Sequence, residues 1–204
     1  MVTQSLVGKV ELLVRPMQDA DLPSIVNLHL HALGYSLNTN LGGDHLTYLY
    51  NVIHADKDSI VLAAIRDGVC VGVCSATTDP EQLTRTMFSG LSVFGWSKIL
   101  FKILRQPSML RLWYETRSLS HPVFYAGKAI IPCLTTIAVD EGFRGQGIGS
   151  ALILAVDKFF GGKQCLAYRL DTVLSNSAAR LFYLKNGFIE AEQRGKHIVF
   201  VKMI

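Results

Sequence analysis

Several features that mark common protein classes are missing from this 204-residue chain. No apolar run is long enough to cross a bilayer. The longest, Leu91 to Leu104, covers 14 residues and is interrupted by Lys98 and Lys102, short of the roughly 20 that a spanning helix needs. The opening stretch MVTQSLVGKVELLVRPM lacks a long apolar core and carries Lys9, Glu11 and Arg15, so neither a signal peptide nor a membrane span is expected there. The four cysteines, Cys70, Cys74, Cys133 and Cys165, form no C-x-x-C pair and no zinc-ligand spacing. They are expected to be small buried residues in a reducing cytoplasm, with no metal site. There is no Gly-X-Y period, heptad run, low-complexity tract or internal repeat, which removes fibrous and solenoid architectures.

Charge is also scarce. Only 18% of residues are charged and half are hydrophobic, which excludes a disordered chain. A sequence of this length reads as one domain, residues 1–204. The net charge of +4 is concentrated: from Arg85 to Arg117 there are six basic residues against one acid, Glu115. A general nucleic-acid coat would spread its basic residues over a whole face, so no nucleic-acid partner is expected.

Periodicity gives the element order. A strand over residues 9–15 is followed by a helix through Ile25, Val26, Leu28, Leu30 and Leu33, capped by Asp19 or Asp21 and stopped at Gly34. Leu46, Leu49, Tyr50 and Ile53 have the spacing of a second amphipathic helix. Residues 59–65 and 69–76 are β-branched runs joined by Arg66-Asp67-Gly68, a hairpin signature. Strands at 134–139, 165–173, 188–192 and 198–203 alternate with helices at 147–160 and 176–185. The expectation is a mixed α/β (α+β) fold whose third and fourth strands are separated by a helical insertion, residues 79–131. Within it, Gly95, Lys98, Lys102 and Arg105 form a polar stripe and Val93, Trp96, Leu100 and Ile103 an apolar one. A second helical stretch is expected to start at 109–114.

The chemistry is concentrated in one string, Ile137 to Leu152. A strand ends, and a turn containing Gly145, Gly147 and Gly149 opens a long helix. The first turn of a helix carries unpaired N–H groups and the positive end of the macrodipole. Glycines there would let a pyrophosphate approach those donors. A dinucleotide fold would need G-x-G-x-x-G in its first strand–helix unit, and a P-loop would need Gly-Lys-Ser/Thr; neither pattern is present. Downstream, Asn176 stands where a helix begins, Ala179 and Tyr183 follow on the same face, and Gly187-Phe188 ends the helix. Leu181 and Leu184 are expected to face the core.

These two segments resemble the GCN5-related N-acetyltransferases. Arg144-Gly145-Gln146-Gly147-Ile148-Gly149 matches their R/Q-x-x-G-x-G/A motif. Asn176, Ala179, Phe182, Tyr183, Gly187 and Phe188 match N-x-x-A-x-x-(L/F)-Y-x-x-x-G-F. The likeness covers about 9–78 and 132–203 and leaves out 79–131; Glu141 stands where the family commonly has proline.

The resemblance implies a mostly antiparallel sheet flanked by helices, with acetyl-CoA as cosubstrate between two splayed strands. It implies that the backbone of Ile137, Ala138 and Val139 bonds the pantetheine arm and polarises the thioester. The pyrophosphate would be held around Arg144, Gly145, Gln146, Gly147, Ile148, Gly149 and Ser150. Asn176 would bond pantetheine, and Tyr183 would be the general acid toward the departing thiolate.

Glu115, His121, His54 and Tyr125 are all available as general base, and none is chosen; Thr135 and Thr136 could line the site. The expected acceptor is a small-molecule amine, an amino sugar among the choices. A protein N-terminus or lysine is the rival, and a non-catalytic acyl-CoA-binding or membrane-associated module is the alternative outside catalysis. Three roles are open to the insertion: a contact with the domain or a second subunit in a homodimer, a basic lid over the acceptor, or a peripheral membrane contact.

Overall fold

The computed structural model describes residues 12–34, 36–91, 93–105 and 122–204. Seven strands form one sheet in the order β1-β2-β3-β6-β7-β9-β8. Strand β1 (Leu12–Pro16) pairs antiparallel with β2 (Ser59–Arg66), and β2 with β3 (Val69–Thr77). The turn between β2 and β3 has Asp67 at φ 51° and Gly68 at φ 78°, the left-handed pair that an Asp-Gly hairpin requires. Strand β3 pairs antiparallel with β6 (Cys133–Val139). Strand β7 (Ala167–Val173) pairs antiparallel with β9 (His197–Met203), which pairs with β8 (Ile189–Arg194). The expected mixed, mostly antiparallel sheet with flanking helices is present.

Each face of the first half is covered by helices. On one side lie α1 (Leu22–Ala32) and α3 (Gly43–Ala55), with a short α2 (Leu37–Leu41) between them. Ile25, Leu28, Leu46, Leu49, Tyr50 and Ile53 from these helices pack on Val61, Ala63 and Val73. Asp21 does not cap α1 through its side chain. Its carboxylate takes a two-pronged bond from Arg15, at 2.6 and 3.0 Å, and a bond from the Gln18 N–H at 2.8 Å. A guanidinium competes better for a carboxylate than a single neutral amide does.

The other face carries the helices that follow β6 and β7. After α4 (Pro80–Ser89) and α5 (Val93–Arg105), these are α6 (Ile148–Gly162) and α7 (Ser177–Lys185). Ile148, Leu152, Ile153, Val156 and Phe160 point from α6 into a core with Leu62, Cys74, Tyr168, Leu170 and Phe200. Gly72 on β3 makes the close approach of α6 possible: a Cβ there would lie 3.1 Å from Ile148 and 3.2 Å from Leu152.

The segment between β3 and β6 is not helical throughout. After α4 and α5 it contains a hairpin of β4 (Val123–Tyr125) and β5 (Lys128–Ile130), with Val123 and Ile130 buried on Ala167, Val199 and Val201. The expected helix at 109–114 lies outside the described residues, as do Arg111, Glu115, Arg117 and His121. The apolar side of α5 is largely open: Trp96, Leu100, Phe101 and Leu104 are all exposed, with Trp96 stacked on Phe88. Its polar side is partly spent. Lys102 Nζ donates to the Leu41 carbonyl at 2.5 Å, at the end of α2, where a cation meets the negative end of a helix. The Arg105 guanidinium sits 4.5 Å over the Phe101 ring. No helix among the described residues is long and apolar enough to cross a membrane.

Candidate active site

The parallel strands β6 and β7 meet at one registered pair, Cys133 with Arg169, supported by the Arg169 N–H donating to the Pro132 carbonyl at 2.9 Å. Beyond it they separate. On its other edge β6 stays bonded to β3, where Gly72, Val73 and Cys74 face Val139, Ala138 and Ile137. The Asp140 N–H donates to the Val71 carbonyl. Antiparallel alternation therefore turns the backbone groups of Ala138 toward β3, and those of Ile137 and Val139 toward the opening. Val139 confirms the direction: its carbonyl accepts from Arg144 Nε at 3.3 Å. Of the three backbone positions expected at the thioester, Ala138 is thus already engaged in the sheet. Thr135 has no counterpart on β3, since the register passes from Ser75–Thr136 to Ala76–Leu134. This bulge lies at the start of the opening, a common place for one beside a site.

At the far end of β6, a short 3-10 turn (Glu141–Phe143) leads to Gly145 at φ 76° and Gly147 at φ 83°. A Cβ at either position would meet nothing within 4 Å. These glycines are required by left-handed backbone, and they leave open space in front of the turn. The first helical bond runs from the Ala151 N–H to the Gly147 carbonyl, so the Ile148, Gly149 and Ser150 amides are the orphan donors of the first turn. Amides of Gly145, Gln146 and Gly147 reach no backbone carbonyl among the described residues. This is a concave run of N–H groups at the positive end of a 15-residue helix, suited to an anion.

Two members of the expected cradle have other duties. Gly149 has no left-handed backbone; its missing Cβ faces the Phe182 ring at 2.9 Å, so it is a packing glycine. The Gln146 side chain accepts from Arg66 and donates to the Gly142 carbonyl at 3.3 Å, and Arg66 also lies over Phe143. Gln146 ties the turn to the β2–β3 hairpin. Beside the turn, a groove of about 480 Å³ runs along α1 and is bordered by Asn27, His31, Cys70, Asp140 and Arg144.

The second motif approaches from α7. Asn176 Oδ1 accepts from the Ala179 N–H at 3.1 Å, as an N-cap does. Tyr183 is buried against Phe182, Phe188 and Phe200, while its hydroxyl bonds to no described residue. Burial, with Cys74 and Asp171 nearby, raises its pKa above the ordinary tyrosine value, so it carries its proton at neutral pH. Leu181 and Leu184 are exposed, against expectation. The aromatic pair Phe182 and Tyr183 occupies the core side of this nine-residue helix instead.

Cys133 is buried and its thiol pushed up to about 11 by desolvation, a poor nucleophile near neutrality. Among the expected bases, His54 stands on the outer end of α3, 3.9 Å from exposed Asp19. Tyr125 packs beside the β4–β5 cluster, and Glu115 and His121 lie outside the described residues. Sequence reasoning missed a different pair. Asp171 Oδ2 lies 3.4 Å from His197 Nδ1, on neighbouring strands β7 and β9. The alternation Ala-Tyr-Arg-Leu-Asp in β7, which puts two charges on one face of an otherwise apolar strand, was the available signal.

Residues 113–190 match the family model of the acetyltransferase (GNAT) domain. No curated protein matches the chain in sequence. Among solved structures, the chain is similar to the PaiA N-acetyltransferase of Thermoplasma acidophilum in complex with coenzyme A. Identity is 15% and the TM-score 0.62, over 95% of this chain and 99% of that one. It is similar to the aminoglycoside N-acetyltransferase AAC(6')-Iy in complex with CoA, with 17% identity and TM-score 0.63 over 93% and 95%. It is also similar to the ribosomal-protein-S18-alanine N-acetyltransferase of Escherichia coli, with 15% identity and TM-score 0.58 over 95% and 94%. Residues 113–190, the segment that matches this family model, include both motifs and the glycine turn, and the chain as a whole has the fold of the N-acetyltransferases it resembles in structure.

Proposed function

We propose that this protein transfers an acetyl group from acetyl-CoA to a primary amine, and that residues 1–204 work as one domain with 79–131 inserted. The observation that carries the reading is the release of β6 from β7 after a single pair, within one strand length of the open turn at Gly145 and Gly147. The space in front of that turn and its unbonded amides fit a pyrophosphate. The residues from Arg144 to Ser150 would hold it, Gln146 and Gly149 by shaping the turn. Ile137 and Val139 offer backbone donors and acceptors to an extended pantetheine arm, as an edge strand does. Asn176 has its amide NH₂ left for the same arm after capping α7.

When bound, acetyl-CoA supplies an activated thioester, so no enzyme nucleophile is needed; the raised Cys133 thiol agrees with direct attack. A backbone N–H on β6 would stabilise the oxyanion. Tyr183, protonated and with its hydroxyl bonded to no described residue, would donate to the thiolate as the C–S bond breaks. Free cysteines at all four positions favour a cytoplasmic setting.

The acceptor is proposed to be a small-molecule amine, an amino sugar among the first to test; a protein N-terminus or lysine is the second choice. Similar folds act on an aminoglycoside and on a ribosomal protein, so fold alone does not choose. For the insertion, the exposed Trp96, Leu100 and Leu104 of α5 support contact with a membrane surface or a second copy of the chain, with a basic lid over the acceptor as the third choice. The deciding experiment is an acceptor panel of amino sugars, aminoglycosides, polyamines and short peptides with acetyl-CoA, read by free thiol release. Transfer to at least one amine is expected. Tight acetyl-CoA binding with no transfer to any amine would leave a non-catalytic acyl-CoA-binding module.

A further inference from the structure

The proposed reaction has an acid, Tyr183, but the amine also loses a proton, and nothing so far receives it. Parallel register from Cys133–Arg169 puts Asp171 on β7 across from the Thr135 bulge on β6. This is the first stretch of the opening. The strand's alternation sends Tyr168 and Leu170 into the core under α6 and α7, and Arg169 and Asp171 to the opposite face. Tyr183 lies on the α7 side of the sheet, against Phe200 of β9, the register partner of Leu170; Asp171, next along β7, faces the other side. The two are nevertheless close enough to interact: the Asp171 charge bears on both the Tyr183 hydroxyl and the Cys133 thiol. Asp171 is held from behind by His197, 3.4 Å away, and both side chains are only partly exposed.

Resting on the acyl-transfer reading above, we propose that Asp171 is the residue that receives the acceptor amine at the opening between β6 and β7, with His197 as its positioning residue. The Asp171 carboxylate binds the ammonium and takes one proton from nitrogen. The nitrogen lone pair forms the N–C bond to the acetyl carbon, the C–S pair leaves on sulfur, and Tyr183 supplies the proton that makes the free thiol. Asp171 then returns its proton to solvent, and the second proton, shed by the nitrogen as the amide forms, passes through water to the Tyr183 phenolate, so that one proton is released per transfer. Acid and base thus stand on opposite faces of one gap in the sheet, so the amine and the thiol need not share a path.

The charged and titratable groups around Asp171 are Arg169 on β7, His197 on β9, Arg194 and Glu192 on β8, Cys133 on β6 and Tyr183 on α7. The test is a pair of variants, Asp171→Asn and His197→Gln, assayed with the best amine of the acceptor panel from pH 6 to 10 and checked for CoA affinity by calorimetry. Asp171→Asn is expected to lose ~10²–10⁴-fold in kcat/KM near neutrality with CoA affinity unchanged. Its rate should climb with pH in step with the free-base fraction of the amine. His197→Gln should show a smaller loss with the same recovery. An equal loss at every pH would mean a structural role and overturn the proposal, as would unchanged kinetics in Asp171→Asn. A second measurement needs no acceptor: the imidazole nitrogen resonances of His197, assigned by their loss in His197→Gln, should shift on titration with acetyl-CoA. If no amine in the panel is acetylated, the acyl-transfer reading fails on its own. Unshifted His197 resonances at saturating acetyl-CoA would separately overturn the placement of Asp171 beside the thioester.

Discussion

Gly149 faces the ring of Phe182 so closely that a Cβ on the glycine would lie 2.9 Å from two ring carbons. The two sequence motifs are therefore in contact, and the start of α6 is seated directly on α7. Gly149→Ala is expected to cost ~1–3 kcal/mol by overpacking, less up to ~1 kcal/mol regained from helix propensity. Adding Phe182→Leu should restore most of the loss. Urea unfolding of the single and double variants measures it, and additive effects would show that the ring is not the obstacle.

Gly147 is a different case, with φ 83° and open space around its missing Cβ. Gly147→Val should strain the left-handed backbone by ~1–3 kcal/mol and place methyl groups where an anion would sit. The expected outcome is a folded protein with CoA affinity reduced more than 10-fold, about 1.4 kcal/mol, by calorimetry. Undiminished binding would remove the turn from the cofactor site.

For Tyr183, replacement by Phe keeps the contacts with Phe188 and Phe200 and removes one hydroxyl. Turnover should fall ~10²–10⁴-fold while CoA affinity stays the same. Because burial raises this tyrosine's pKa, the proposed acid should keep its proton, and activity should hold on the alkaline side, up to the ordinary tyrosine range, about pH 10. Loss of activity within a few-fold in Tyr183→Phe would assign the proton to another donor.

His29 is buried, with Nδ1 2.8 Å from the Tyr50 hydroxyl, and desolvation lowers its pKa to about 4. The folded value lies below the unfolded one, so the neutral form belongs to the fold. The contribution is complete above about pH 6.5 and is lost as pH falls toward 4, reaching ~2 kcal/mol by pH 5. His45, lowered for the same reason, acts in the same direction. Denaturation at pH 7 and pH 5 should show this slope in the wild type and a flatter one in His29→Gln. Equal slopes would assign the pH dependence to other groups.

Most of the element order was readable because those elements carried their own local signal; the short α2 and the β4–β5 hairpin were not foreseen. The Asp67-Gly68 turn, the apolar spacing of Leu46 to Ile53 and the glycines before α6 act within a few residues, where backbone sterics and periodic burial decide. For the same reason both motifs could be placed on a strand–turn–helix and on a helix start.

Relations between distant segments could not be read in that way. That the missing Cβ of Gly149 makes room for a ring is decided by Phe182, 33 residues later. Lys102 looked like part of a free basic stripe until α2 brought its terminal carbonyls within 2.5 Å. Asp171 and His197 are 26 residues apart and meet through pairing of β7 with β9. By itself, the sequence determined which backbone conformations were allowed and which faces were apolar. Tertiary structure alone decided which polar groups found partners and which were left facing the opening. Hydrogen bonds and ion pairs act over a few ångströms in space, and only the closed sheet sets those distances.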